Sequence, residues 1–279
     1  MVSCVNINKT ELFYDDKWSI GNLNEYHQYI LNNLMVFLKN NNIPYSVNFG
    51  CKSLVKDINL DFQYEHTIIK HQDSYICQIH RFDYLIRCDS VFEYSNANLN
   101  HIKNFTEFKP YMNVSYYYPP LIYDISDSNN RLKDCLTIHN STERRVKIHN
   151  KVNMDYYHIV CPGNLYDKNI MKNVMDGYKI LVNIHQNDTN QTLEELRVLP
   201  SLLTGILVVS EDVPYKEHIP YHKHIIWSSY DDLPNTINDV LNNYDTYREK
   251  YLKDLKKTIL NIKNKSDNVL MNIFKKYIQ

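Results

Sequence analysis

The sequence predicts an α/β protein whose C-terminal half is a doubly wound parallel sheet. Strand-like runs rich in Val, Ile and Leu alternate with helical segments along that half. The strands are apolar throughout, as in parallel sheets that helices cover on both faces. The chain has only 5 glycines, so neither a G-x-G-x-x-G nor a Walker A motif can be built. The pattern therefore favours a Rossmann-like architecture without a classical dinucleotide or P-loop site.

Length and composition narrow the function further. A chain of 279 residues accommodates one large or two modest domains. Its 31 basic and 32 acidic residues give a net charge of -1, which argues against a nucleic-acid partner. The 6 cysteines form no C-x-x-C pair and are expected to be reduced thiols. The N-terminus lacks a signal-peptide pattern, and no apolar run reaches the ~20 residues of a membrane span. These features predict a cytoplasmic protein without a transmembrane segment.

The first 123 residues are predicted to form a smaller α/β domain. A helix is expected over residues 24–40, because Ile30, Leu31, Leu34 and Phe37 recur at helical spacing. Short strands and one further helix follow; we expect strands at 45–49, 64–69, 75–79, 84–87 and 91–94, and a helix at 98–105. The pair Pro119-Pro120 forces extended backbone and is followed by a polar stretch, which predicts a domain boundary near residue 123.

A second domain is predicted over residues 124–230, with helices over 231–279. Strands are expected at 135–139, 156–161, 180–185, 206–210 and 224–227, with helices at 141–152, 166–176 and 192–204 between them. Ligands of such sheets bind beyond the carboxyl ends of the strands, so the loops there are the places to search. From Asp231 onward an apolar stripe indicates helices that pack back on the body. Their lysine-rich face leaves a membrane-surface or partner role as the minor alternative.

One candidate site follows the third strand of this domain. His185 and Gln186 stand at its carboxyl end and could donate hydrogen bonds to a phosphate or hydroxyl. Thr192-x-x-Glu195 has the spacing of a capping box at the start of the next helix. The capping box does not account for Glu194 or Arg197, which share another helix face. Pro200 is expected to kink this helix.

A second candidate site follows the first strand of the same domain. Asn140 is predicted to cap a helix whose first turns carry Arg144, Arg145 and Lys147. Free amides at a helix start favour an anion, and adjacent arginines add bidentate phosphate contacts. Solvent-facing arginines without a ligand are the alternative.

Here the sequence resembles a known family. The stretch LVNIHQNDTNQTLEELRVLPSLLTGILVVSEDVPYKEHIPYHKHIIWSSYDDL, with YEHT at 64–67 and PPLIYD at 119–124 upstream, is similar to glycosyltransferases of the GT-B type, and most of all to the predicted ones of giant DNA viruses. The resemblance covers most of residues 60–235. It implies two Rossmann-like halves, of which the N-terminal one is reduced. It also implies that the C-terminal half binds a nucleotide-sugar donor.

The resemblance also assigns roles to residues. In related enzymes a glutamate on a helix holds the ribose hydroxyls, and Glu194 or Glu195 loosely matches it. The pattern R-x-x-E-x-x-x-x-G of some relatives becomes Arg197 to Gly205 here, with Pro200 in the place of the glutamate. This replacement moves the expected ribose contact to Glu194 or Glu195.

The expected reaction is transfer of a sugar from a nucleoside diphosphate to a hydroxyl acceptor. No D-x-D motif occurs, so no metal or other cofactor is expected. Arg144, Arg145, Lys147 and Arg197 are the candidates for stabilising the departing diphosphate. Glu65 and His66 are the candidates for the base that takes the acceptor proton, although they could instead pair with Arg81 or Arg87.

Two other functions stay open. The alternative is a non-catalytic module with this fold that binds a glycan or a partner glycosyltransferase. A methyltransferase is disfavoured by the missing glycine-rich first loop. The expected partners are thus a nucleotide sugar and a glycan or other hydroxyl acceptor, without nucleic acid, and a homodimer is compatible with the sequence.

Overall fold

The fold comes from a computed structural model, which describes residues 2–7, 10–15, 23–42, 46–49, 58–63, 67–72, 74–78, 90–102, 115–128, 131–139, 141–152, 158–160, 168–189 and 191–275. The chain divides into two compact units. One comprises residues 1–67, 77–119 and 261–279, and the other comprises residues 68–76 and 120–260. The predicted domain bounds at 123 and 230 stay a prediction. No helix in the described ranges is long and apolar enough to cross a membrane.

Strands and helices of the N-terminal half alternate irregularly. They are β1 Val2–Ile7, β2 Thr10–Asp15, α1 Leu23–Asn40, β3 Ser46–Phe49, β4 Ile58–Gln63, β5 Thr67–His71, β6 Ser74–Gln78, β7 Ser90–Glu93, α2 Asn96–Ile102 and β8 Ser115–Tyr117. Six of the strands form a sheet in the order β3-β1-β2-β4-β7-β8. In this sheet β4 is parallel to β2 and β7, and β7 is also parallel to β8. Strand β1 is antiparallel to both of its neighbours, β2 and β3. β5 and β6 form a separate two-stranded ribbon.

The C-terminal half alternates regularly, as predicted. Its elements are β9 Lys133–Ile138, α3 Glu143–His149, β10 His158–Val160, α4 Lys168–Asp176, β11 Tyr178–Asn183, α5 Glu195–Leu203, β12 Leu207–Glu211, β13 Ile225–Ser228, α6 Leu233–Asn242, α7 Tyr244–Leu252 and α8 Leu255–Lys275. All five strands pair in parallel in the order β10-β9-β11-β12-β13. Apolar side chains of the strands and of α3 and α6 form one buried cluster. The predicted doubly wound sheet is confirmed.

The strand order fixes where a ligand can enter this sheet. The chain leaves β9 toward β10 on one side and returns to β11 on the other side of β9. The connections after β9 and β11 therefore diverge and open a crevice at the carboxyl ends of these two strands. The first connection leads into α3 and the second into α5.

The amino edge of the sheet is closed by Arg131, which is buried. Its Nη1 donates to the carbonyls of Met175 at 2.7 Å and Tyr178 at 2.8 Å, and its Nη2 donates to the carbonyl of Thr204. Met175 lies in the last turn of α4, and Thr204 caps α5. The guanidinium thus satisfies carbonyls that helix ends leave without an amide partner.

Gly205 follows the end of α5 at the same edge. Its φ of 78° is left-handed, a conformation that glycine adopts without strain and that is common just beyond a helix end. A Cβ at this position would meet Asp127 Oδ1 and the carbonyl of Ser126 at 2.9 Å each. Glycine is required here both by the backbone angle and by the lack of space.

Two predicted helix starts are wrong. α5 begins at Glu195, three residues after the predicted cap Thr192, and its N-cap residue Glu194 makes no side-chain cap. The capping box fails because the carboxylate of Glu195 accepts a hydrogen bond from Tyr221 Oη at 2.8 Å instead. α3 is capped by Thr142 rather than Asn140, since the Thr142 side chain accepts from the Arg145 amide. The predicted strand at 84–87 and residues 64–66 lie outside the described residues.

Candidate functional site

Polar side chains gather at the carboxyl edge of the parallel sheet. Those at strand ends are Asn183, His185, Ser210 and Glu211, and those at helix starts are Arg144, Arg145, Glu194 and Arg197. They come from the two connections that flank the crevice and from the end of the next strand, β12. The fold therefore brings residues of the two candidate sites together at one edge of the sheet.

Arg144 is the most heavily bonded cation of this cluster. Its Nη1 donates to Glu211 Oε2 at 2.7 Å and its Nη2 donates to Glu211 Oε1, so the carboxylate is bound bidentately. Its Nε donates to Asp188, and its guanidinium carbon lies 3.7 Å from the ring centroid of Tyr230. The Tyr230 hydroxyl donates back to the Arg144 carbonyl at 2.6 Å. Burial lowers the pKa of Arg144, but hydrogen bonds with Glu211 and Asp188 outweigh burial and raise it.

Arg145 lies deeper in the same crevice. Its Nε and Nη2 donate to the carbonyl of Ile184 at 3.0 and 2.8 Å. Its Nη2 lies 3.9 Å from Glu194 Oε1. Ile184 directly follows β11, so this arginine ties the start of α3 to the connection that leads into α5.

Glu194 accepts a hydrogen bond from Asn183, whose side chain is in turn bonded to residues of β12 and α5. Asn183 Nδ2 donates to Glu194 Oε2 at 2.8 Å and to Ser210 Oγ at 3.1 Å. Arg197 Nη1 donates to the side-chain oxygen of the same asparagine at 3.1 Å. Burial raises the pKa of Glu194, but His185, Arg197 and Asn183 together lower it to about 2. The carboxylate is therefore ionised at neutral pH and can accept hydrogen bonds from a ligand.

His185 is fully buried between two carboxylates. Its amide donates to Glu211 Oε2 at 3.1 Å, and its Nδ1 lies 3.8 Å from Glu194 Oε2. Its Nε2 lies 3.4 Å from the Asp212 carbonyl. Burial lowers the pKa of His185, but the negative charges of Glu194 and Glu211, with the Asp212 carbonyl, outweigh burial and raise the pKa. A proton on this imidazole is thus stabilised by the site.

Several predicted residues stand apart from this cluster. Lys147 is exposed and pairs with Glu143 at 3.0 Å, one turn away on α3. Glu195 is fully buried and bonded to Tyr221. Gln186 has an exposed side chain, and its carbonyl accepts from Thr142 Oγ1 at 3.2 Å. Thr192 is buried on the connection into α5. Glu65 and His66, the predicted base candidates, lie outside the described residues.

Sequence reasoning missed Asn183 and Tyr230, whereas it places Glu211 at the expected ligand edge, at the end of a predicted strand. Asn183 ends the apolar run of β11, and Glu211 ends that of β12. A polar residue that closes a buried strand is a usable signal, because it stands at the edge where ligands bind. Tyr230 carries no such signal, since its contact with Arg144 spans 86 positions of the chain.

Arginines and carboxylates are equal in number among the described residues of the cluster. Three arginines, Arg144, Arg145 and Arg197, face three carboxylates, Asp188, Glu194 and Glu211. Two of these carboxylates are largely buried, whereas the side chain of Asp188 is 85% exposed. The arrangement can therefore receive an anion where the exposed carboxylate gives way, and it can offer a buried carboxylate to ligand hydroxyls.

Among the comparisons with known proteins, a solved structure bears on the fold. No protein-family model matches the chain. An uncharacterized protein of Acanthamoeba polyphaga mimivirus is 31% identical over 102 residues, which are 34% of this chain and 36% of that protein. The crystal structure of TarM, a glycosyltransferase of GT-B fold, matches with a TM-score of 0.53 at 13% identity, over 80% of this chain. The match spans 51% of the TarM chain. This chain therefore has an α/β fold that is GT-B-like.

Proposed function

We propose that the chain is a glycosyltransferase that moves a sugar from a nucleoside-diphosphate sugar to a hydroxyl acceptor without a metal ion. The observation that supports it is the cluster of three arginines and an ionised glutamate at the carboxyl edge of the sheet, beside the point where the strand order reverses. The GT-B-like fold is consistent with this reaction. The likeness to TarM is one of fold, and the activity is our proposal.

The arginines have a role that follows from the charge of the reaction. When the bond from the anomeric carbon to the diphosphate breaks, negative charge builds up on the leaving phosphate oxygens. Fixed cations beside those oxygens stabilise the transition state more than the ground state. We assign this role to Arg144, Arg145 and Arg197, which share one sheet edge.

Glu194 has a role on the sugar side of the nucleotide. Its carboxylate has a pKa of about 2 and a side chain that is 22% exposed, so it is ionised and still reachable. Asn183 fixes one of its oxygens. We assign to it the acceptance of hydrogen bonds from the ribose hydroxyls, a role that the fully buried Glu195 is less suited to fill.

Proton removal from the acceptor is assigned to Glu65 or His66. A carboxylate or an imidazole within hydrogen-bond reach of the acceptor hydroxyl would take its proton as the new glycosidic bond forms. The donor and acceptor are the only small molecules this scheme requires.

Calorimetric titration of the whole chain with UDP, GDP and their sugars tests the donor site. We expect binding in the micromolar to millimolar range that a chelator does not abolish, and no comparable binding of the bare nucleosides. The control variant Arg248→Gln should bind nucleotides as the wild type does. This arginine also pairs with a carboxylate, that of Asp127, but it lies outside the cluster. The absence of binding to every nucleotide at millimolar concentration would refute the proposal.

Turnover separates this proposal from the alternative. The cluster's arginines already bond to carboxylates and carbonyls of the chain itself, which is compatible with a non-catalytic module that binds a glycan or a partner glycosyltransferase. We expect donor hydrolysis or transfer by the wild type, and at least about a hundredfold loss for Glu65→Gln or His66→Asn with unchanged nucleotide affinity. Nucleotide binding without any turnover would instead favour the module.

A further inference from the structure

The guanidinium of Arg144 has two hydrogen-bonding edges that differ in their partners. The edge formed by Nη1 and Nη2 is taken by Glu211, whose side chain is 8% exposed. The other edge is formed by Nε and the second N–H of Nη2, and its Nε donates to Asp188, whose side chain is 85% exposed. One edge is thus bound by a buried carboxylate and the other by a carboxylate that stands in solvent.

The buried edge is rigidly held. Glu211 lies at the end of β12 and also accepts the His185 amide at 3.1 Å. Tyr230 covers the guanidinium face at 3.7 Å and is itself hydrogen-bonded to the Arg144 backbone. Arg144 therefore cannot turn to present a different edge without breaking several contacts at once.

The outer edge is held only by a short surface segment. Residues 186–189 are all exposed. Asn187 Oδ1 accepts from the Thr189 amide at 3.0 Å, and Gln191 Nε2 donates to the Asp188 carbonyl at 2.9 Å. Neither these contacts nor the one from Thr142 Oγ1 to the Gln186 carbonyl uses the Asp188 carboxylate, so the Asp188 side chain can leave Arg144 by a rotation without unfolding the sheet edge.

We propose that Asp188 occupies the place of a phosphoryl group on the outer edge of Arg144 and competes with the anionic ligand for it. The inference rests on the proposed function, which supplies a diphosphate as that ligand. A carboxylate and a phosphate accept from a guanidinium edge with the same two-oxygen geometry. Binding then exchanges one anion for another, while Glu211 keeps Arg144 in position.

This exchange has a selective consequence. A ligand with one negative charge gains little by displacing a carboxylate of equal charge. A diphosphate gains more, because it carries more charge and can reach Arg145 or Arg197 as well. Asp188 thus weakens the binding of singly charged anions more than the binding of diphosphates.

The test compares Asp188→Asn with Asp212→Asn. The asparagine keeps the shape of Asp188 and removes its charge. Asp212 is the matched control, since it is an exposed aspartate that follows β12 but pairs with Lys216 at 2.7 Å instead of an arginine of the cluster. The probes for titration are inorganic pyrophosphate, UDP, GDP and uridine. Both substitutions are at exposed side chains, so the folded state is retained.

Asp188→Asn is expected to tighten pyrophosphate and nucleotide binding about two- to fivefold, the range for loss of a competing surface ion pair. Uridine affinity stays unchanged, and Asp212→Asn has little effect. Wild-type binding with no tightening in Asp188→Asn would overturn the competition and leave the proposed function intact. Equal tightening in both variants would reduce the effect to net charge and also overturn it. No binding of any phosphate by either protein would refute both proposals.

Discussion

The amino edge of the parallel sheet holds a buried arginine and the carboxyl edge a partly buried one, and the two are used in opposite ways. At the amino edge Arg131 donates to three backbone carbonyls. At the carboxyl edge Arg144 donates to two carboxylates, one buried and one exposed. Backbone carbonyls of the sheet are fixed in position and do not titrate. At the carboxyl edge, by contrast, the exposed carboxylate of Asp188 can move, and the pair of Glu194 and His185 can change its charge. The amino edge is therefore built for stability and the carboxyl edge for exchange.

The largest effect is expected from removing the amino-edge arginine. Arg131→Ala leaves three carbonyls without their donor and should lower the free energy of unfolding by about 3 kcal/mol or more, at about 1 kcal/mol or more for each buried group. Urea denaturation measures it. The control Arg248→Gln breaks a more exposed pair and should cost about 1 kcal/mol or less. If the folded Arg131→Ala protein also lost nucleotide affinity, the separation between the two edges would fail.

Substitution of the carboxyl-edge arginine, Arg144, should reduce nucleotide affinity strongly and the free energy of unfolding only moderately. In Arg144→Gln the amide can still donate to Glu211, so the free energy of unfolding should fall by about 1–2 kcal/mol. Nucleotide affinity should fall about tenfold or more, because a charge-assisted contact to phosphate is lost. Calorimetry and urea denaturation of the same preparation measure both. A stability loss as large as that of Arg131→Ala, with unchanged affinity, would make Arg144 a structural residue too.

The smallest effect is a difference in pH dependence. The pKa of Glu194 is lowered from 4.5 to about 2, so its contribution to stability is present above pH 4.5 and lost as the pH falls toward 2. The pKa of His185 is raised from 6.5, so its contribution is present below pH 6.5 and lost as the pH rises through the higher value. The pair thus stabilises the fold most between pH 4.5 and 6.5.

Glu194→Gln tests this window. The difference in unfolding free energy from the wild type should be largest near pH 5–6 and should shrink as the pH rises through the raised pKa of His185, because the imidazole then loses its proton. The difference between wild type and Arg131→Ala should stay constant over the same range, since carbonyls do not titrate. A constant difference for Glu194→Gln would show that the protonation state of His185 does not change over this range.

The sequence allowed the sheet to be predicted because its information is local. The apolar run of β12 and the glycine after α5 can each be recognised from a few consecutive residues. The side-chain partners were not predictable in this way. Arg144 meets Glu211 across 67 positions, and Glu195 meets Tyr221 across 26. Such pairs depend on the order of the strands, which no local pattern states. The capping box at Thr192 failed for the same reason, because a distant phenol outcompeted the local amide.

The tight position of Gly205 limits how this chain can vary. Any side chain there would press on Asp127 and Ser126, and its backbone would be strained as well. The Ser126 amide also donates to the Leu203 carbonyl at 2.8 Å. Displacement of the backbone at residues 126–127 would therefore break a contact that holds the end of α5. In a library that randomises codon 205, we therefore expect soluble clones to retain glycine almost without exception.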